Sequence, residues 1–149
     1  MDINLRYEGA ETAKQHLLDM AGRVDDFTPI WPEVKAEVQR HNDAWLSSQG
    51  EGSFEPLKPS TLKKKPRRSN RPLDKSGELW DSLIGDTNLT VFVSEPTRCE
   101  IGTSADWAHW HMLPRKHMPA RPPLKITERL LNNVKAILRG HVRGRQTTL

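Results

Sequence analysis

Two short runs, LTVFV at residues 89–93 and RCEIG at residues 98–102, decide the fold class of this chain. Both contain the β-branched and aromatic residues that are enriched in strands. The four residues between them, SEPT at 94–97, form a link of hairpin length. The stretch therefore predicts an antiparallel β-hairpin, and we expect the helical segments on either side to pack against it.

On the N-terminal side of the hairpin, the apolar pattern predicts one strand and two helices. Residues 3–7 alternate apolar and polar side chains, as in a half-buried strand. Residues 11–24 carry an apolar helical stripe. A second helix is predicted from Pro32, whose missing N–H suits a first helical turn. Its apolar residues recur near the helical period from Trp31 onwards.

Two further helices flank the hairpin more closely. Ser76 is a candidate N-cap for a short helix over residues 77–83, with Leu79 and Trp80 facing inward. An amphipathic helix is predicted over residues 124–138, followed by a flexible basic tail over 140–149. The predicted fold class is therefore α+β, with a small antiparallel sheet packed against N-terminal and C-terminal helices.

Length and composition favour a single domain over residues 1–149. The chain is 35% hydrophobic and 28% charged, with 11 prolines, so we expect a modest core and many loops. It contains no apolar stretch long enough to span a bilayer, so we expect it to be made and used in solution without a membrane. Cys99 is the only cysteine, which excludes an intrachain disulfide and a multi-cysteine metal site.

Charge is divided unequally along the chain. Residues 1–57 carry a net charge of −6 and residues 58–149 a net charge of +10. The basic part could contact nucleic acid, it could pack head-to-tail on the acidic part of a second copy, or it could simply be solvated. Within it, the segment Lys58–Arg71 has seven basic residues and no acid. We expect a long, exposed, extended basic arm over residues 58–72.

Histidines at 109, 111 and 117 raise the hypothesis of a metal site, to which Asp106 could add an oxygen ligand. Their spacing matches no HExxH-type signature. In an extended segment, His109 and His111 would share one side with Trp107, while Trp110 would point away. Such aromatic and imidazole groups are typical of a subunit contact.

The chain also lacks a nucleophile elbow and a phosphate-binding loop. Cys99, in a predicted strand, is expected to be a small buried hydrophobic residue. These patterns predict a protein that is not an enzyme, without catalytic residues, cofactor or metal.

Four further short segments follow one another in a fixed order. They are FEPL at residues 54–57 with TL at 61–62, L-x-x-S-G-x-L-x-x-S at 73–82, W-A-x-x-H at 107–111, and PARP at 119–122. Together they resemble the virion-morphogenesis family of tailed bacteriophages, whose members complete the tail or form the neck between head and tail. Phe54 stands where the family has Trp, Trp107 where it has Tyr, and Pro123 where it has Phe.

The resemblance implies a structural protein that forms a homo-oligomeric ring, with a hexamer expected, in the neck or tail of the virion. Its partners would be neighbouring neck, connector and tail-tube proteins, with genomic DNA passing through the lumen and assembly in the host cytoplasm. The alternative functions are a basic DNA-binding accessory protein and, from a third class, a metal hydrolase. Residues expected at subunit or partner contacts are Trp107, Trp110, His111, Arg121, Lys63, Lys64, Lys65, Arg67 and Arg68.

Arg121 has two possible partners. Pro119 and Pro122 restrict the residues before them to extended backbone, so Arg121 is predicted to be a rigidly held donor. Its guanidinium could bind a carboxylate of a neighbouring subunit or the acidic face of its own chain.

Overall fold

The predicted hairpin is present in the computed structural model, which describes residues 9–65 and 70–144. β1 (Thr90–Glu95) pairs antiparallel with β2 (Arg98–Thr103), from Thr90 opposite Thr103 to Glu95 opposite Arg98. The connecting turn contains only Pro96 and Thr97, because residues 94 and 95 continue the ladder. The hairpin is confirmed, with a link two residues shorter than predicted.

Five α-helices accompany this sheet in the described residues, which confirms the α+β class. They are α1 (Ala10–Asp25), α2 (Trp31–Ser47), α3 (Pro59–Lys64), α4 (Glu78–Ile84) and α5 (Glu128–Val142). Two short 3-10 helices lie at Thr28–Ile30 and Ala108–His111. Within the same residues, no helix is long and apolar enough to cross a bilayer. The strand predicted at residues 3–7 lies outside the described residues.

Two helix starts differ from the sequence prediction. α4 is preceded by Gly77 at φ 88°, a left-handed conformation that glycine adopts without strain. Gly77 therefore occupies the N-cap position predicted for Ser76, whose hydroxyl instead donates to the Glu78 carboxylate at 3.0 Å. α5 begins four residues later than predicted because the Thr127 hydroxyl caps it, accepting the Leu130 N–H at 3.2 Å.

The core is centred on Trp45 of α2, which is only 3% exposed. Its ring packs edge-on against Phe54 at 5.9 Å between centroids, and its indole N–H donates to the Pro122 carbonyl at 2.9 Å. Leu79 and Leu83 bring α4 into the same cluster. The inward orientation predicted for Leu79 is therefore confirmed, whereas Trp80 is only half-buried at the edge of this cluster.

Buried polar contacts tie α4 to its neighbours. The Asn42 amide of α2 donates to the Leu83 carbonyl at 3.1 Å. The Ser82 hydroxyl lies 2.8 Å from both the Leu79 carbonyl oxygen and the Thr103 hydroxyl at the end of β2. Because each of these groups has a partner, α4 is held against α2 and the hairpin without leaving these atoms unsatisfied.

The C-terminal helix was predicted against the sheet, but it packs mainly against α2 and α1. The Asn133 amide of α5 donates to the buried Glu37 carboxylate of α2 at 2.6 Å. The Arg23 guanidinium of α1 donates to the Val142 carbonyl at 3.0 Å. These contacts reach the last turn of α5, so residues 140–142, predicted as part of a flexible tail, are helical.

The segment predicted as an extended basic arm begins with a helix. Pro59 suits the first turn of α3, and the Lys58 carbonyl accepts the N–H groups of Thr61 and Leu62 at 2.9 and 3.1 Å. None of the α3 side chains is buried, in agreement with the exposure expected for this segment. Arg67 and Arg68 lie outside the described residues.

Candidate subunit interface

Three of the four short sequence segments meet at Arg121, which is only 7% exposed. Its Nε and Nη2 atoms donate to the Glu55 carbonyl at 2.9 and 2.7 Å, and Nη2 reaches the Pro56 carbonyl at 3.3 Å. Its backbone N–H donates to the His111 carbonyl at 2.8 Å. A single residue of the PARP segment thus holds FEPL on one side and W-A-x-x-H on the other.

The groups that accept hydrogen bonds from the Arg121 guanidinium belong to the same chain. Burial lowers the pKa of Arg121, and the nearby Glu55 carboxylate acts in the opposite direction. A guanidinium remains charged even so, and it needs acceptors when it is removed from water. Of the two partners considered from the sequence, the structure uses the same chain, with backbone carbonyls rather than a carboxylate accepting the hydrogen bonds.

His111 lies beside this guanidinium and is half-buried. Burial lowers the pKa of His111, and the positive charge of Arg121 lowers it further. Among the described residues, no group lies within hydrogen-bonding distance of its buried Nδ1 atom. The imidazole is therefore held in its neutral form more strongly than a histidine in water.

We expect His111 to make stability depend on pH. Its folded pKa lies below the ordinary 6.5, so between these two values the unfolded chain binds more protons than the folded chain. Stability should therefore be fully present above pH 6.5 and decrease as the pH falls from there toward the folded pKa. Urea unfolding at pH 7.5 and 5.5 measures this loss.

The His111→Gln variant should lose less stability over this interval than the wild type, and His109→Gln, altered at an exposed neighbour, provides the matched control. Equal losses in the His111→Gln variant and in the wild type would show that another group is responsible.

The aromatic segment is helical rather than extended, so the predicted alternation of its side chains is wrong. Ala108 N–H donates to the Ala105 carbonyl at 2.9 Å, which begins a 3-10 helix over Ala108–His111. Trp107 and His111 line an open cavity of about 500 Å³ together with Leu79. Trp110 is 49% exposed and lies outside this cavity.

Trp110 contacts other side chains of the loop. Its ring packs edge-on against His109 at 5.7 Å, and the Arg115 guanidinium carbon lies 5.4 Å from its centroid.

In the residues that the structure describes, no group of three or more His, Cys, Asp or Glu side chains is placed to hold a metal ion. Cys99 is half-buried in β2, and burial raises the pKa of its thiol.

The lysines of the basic segment divide between two environments. Lys63 and Lys64 are exposed in the last turn of α3. Lys65 is half-buried and lines the same cavity as Trp107 and His111. Burial lowers the pKa of Lys65, which the Asp74 carboxylate partly opposes, and its ammonium donates to the Arg71 carbonyl. The structure therefore groups Lys65, Trp107 and His111, and separates them from Lys63 and Lys64.

The largest exposed apolar helix face was not among the predicted site residues. On α1, Leu17 is 65% exposed, Leu18 56% and Val24 47%. Among the α1 residues whose exposure is described, Met20 and Arg23 are half-buried and the others are exposed. The stripe is visible in the sequence, but periodicity cannot distinguish a face that packs in its own chain from one that packs on a partner.

Comparison with known proteins gives no relative from which a role could be transferred: no family model matches the chain, and no curated protein or solved structure matches it significantly.

Proposed function

We propose that this chain is a structural virion protein of a tailed bacteriophage. It forms a homo-oligomeric ring at the head–tail neck or the tail end, completes the tail and joins it to the head around the DNA channel. The position of the ring in the virion follows from the resemblance of the four short segments. The observation that supports self-assembly is the exposed apolar face of α1.

The exposed apolar face of α1 would be stabilised by packing against another protein surface. Leu17, Ala21 and Val24 recur at spacings of four and three residues, so they lie on one side of α1. Most of the stability of a protein helix comes from packing such a face rather than from helix propensity. Here the contacts of α1 with its own chain are concentrated at its last turns, where Arg23 meets the end of α5.

A second copy of the chain would present an exposed apolar surface on which this face of α1 can pack. The loop after the hairpin exposes Trp110, Met112 and Leu113, at 49, 44 and 71%. The acidic N-terminal part and the basic C-terminal part also have opposite net charges. Different surfaces of successive copies would then meet, and such a head-to-tail contact closes into a ring when the rotation allows it. Trp107, His111 and Lys63–Lys65 remain proposed contacts of this assembly with its neighbours.

The Leu17→Asp variant tests the proposal. A charge placed in the centre of the covered face should dissociate the oligomer to monomers, because a buried unpaired carboxylate is costly. The control is Thr12→Asp, which adds the same charge on the opposite side of the same helix. Sedimentation velocity measures assembly, and circular dichroism shows that the monomer stays folded.

In virions made with each variant, we expect Leu17→Asp to leave heads and tails unjoined and Thr12→Asp to give normal particles. An unchanged oligomer in Leu17→Asp would refute α1 as the contact. A dissociated oligomer with normal virions would refute the structural role in the particle.

A further inference from the structure

A stripe of basic side chains runs along the outer face of α5. Its members are all exposed: Lys125, Arg129, Lys135, Arg139 and Arg143. Arg129, Arg139 and Arg143 are separated by ten and four residues, so they fall on one side of the helical period, and Lys125 precedes the first residue of the helix by three positions. The fifth, Lys135, lies one turn before Arg139 on the adjoining side.

The stripe has five basic side chains, against one acid in the same helix. Within the described ranges, no acidic side chain lies within salt-bridge distance of these five residues. The Lys125 ammonium nitrogen lies 5.0 Å from the centre of the Trp45 ring. The aromatic face attracts a cation but carries no net negative charge. Glu128 is the only acid in α5. A row of like charges on one helix face repels itself, so an anionic partner would relieve this repulsion.

We propose that this face of α5 binds the phosphate backbone of duplex DNA. Between the arginines the face presents only Asn132 and Ala136, which are exposed and small. Leu131, the exposed apolar residue of this helix, points about 120° away from the stripe by the helical period. Protein interfaces have an apolar or aromatic centre, whereas phosphate contacts are made by Arg and Lys without one.

The dimensions of the stripe also suit DNA. From Arg129 to Arg143 the helix rises roughly 21 Å, at 1.5 Å per residue. DNA presents a phosphate on each strand about every 3.4 Å along its axis, so the stripe can follow the backbone over several nucleotides. Such contacts are independent of sequence. The proposal does not depend on whether the chain forms a ring.

The test measures binding of a fluorescein-labelled 30-base-pair duplex of mixed sequence by fluorescence anisotropy, from 50 to 200 mM NaCl. The variant carries Arg129→Gln, Arg139→Gln and Arg143→Gln, because glutamine preserves length and helix propensity. The control carries Lys58→Gln, Lys63→Gln and Lys64→Gln, which remove the same charge from the exposed α3 segment.

We expect the wild type to bind and the α5 variant to bind at least about tenfold more weakly at 50 mM salt. Its slope of log affinity against log salt should be shallower by roughly 2.7, which corresponds to three lost phosphate contacts. The α3 control should lose less than half as much.

Three results would overturn the proposal. One is the absence of wild-type binding at 50 mM salt, and another is an equal loss in the control, which would show that only net charge matters. The third is unchanged DNA affinity together with a smaller oligomer in the α5 variant, which would show that an acidic face of a second copy occupies the stripe. Sedimentation of each variant without DNA distinguishes this last case and tests assembly separately from DNA binding.

Discussion

Replacing Trp45 with alanine should lower the free energy of unfolding by about 3–5 kcal/mol. The side chain is 3% exposed, packs edge-on against Phe54 and donates to the Pro122 carbonyl at 2.9 Å. Truncation would leave a large cavity and the Pro122 carbonyl without its donor. Urea unfolding followed by circular dichroism measures the change.

Trp110→Ala is the matched control for this experiment. Trp110 is 49% exposed and touches only loop side chains among its ring contacts. Its removal should change the free energy of unfolding of the monomer by less than about 1 kcal/mol. Similar losses in the two variants would contradict the placement of Trp45 at the centre of the core.

The Arg121→Ala variant should lose about 2–4 kcal/mol of monomer stability. The carbonyls of Glu55 and Pro56 would lose a charged donor, and hydrogen bonds to charged groups are worth about 1.5–3 kcal/mol each. From the sequence, Arg121 is expected at a subunit or partner contact. Because the hydrogen bonds of its guanidinium lie within one chain, we expect the variant to destabilise the monomer.

Two further variants separate the geometry of Arg121 from its charge. Arg121→Lys keeps the charge but lacks the planar fork that reaches both carbonyls, so it should recover only part of the loss. Arg115→Ala, at an exposed arginine, should have little effect on unfolding. If Arg121→Ala unfolded like the wild type but assembled less well, the intersubunit role would be restored.

The elements that the sequence predicts well are those defined by local pattern. The hairpin follows from two β-rich runs and a turn, and α1, α2, α4 and α5 follow from apolar periodicity. The turn length was misjudged because Glu95 is polar yet still pairs with Arg98 in the ladder. Strand pairing is decided by backbone hydrogen bonds, which the polarity of a side chain does not reveal.

The choice of packing partners was harder to predict, because it depends on contacts between distant residues. Arg121 and Glu55 are 66 positions apart, and no spacing rule identifies the acceptor. The same limit explains why α5 was assigned to the sheet although Asn133 binds Glu37 of α2. For Trp107 and His111, the sequence analysis assumed extended backbone, where the structure has a 3-10 helix. Their place at a subunit contact stays a prediction.

Native mass spectrometry of the purified protein shows whether this chain assembles with itself. We predict one discrete species at a whole-number multiple of the 17.0 kDa chain mass, six-fold for the hexamer that the resemblance implies. This species should persist on dilution, since a closed ring satisfies every subunit contact. A mass of 17.0 kDa at every concentration would show that the chain does not assemble with itself.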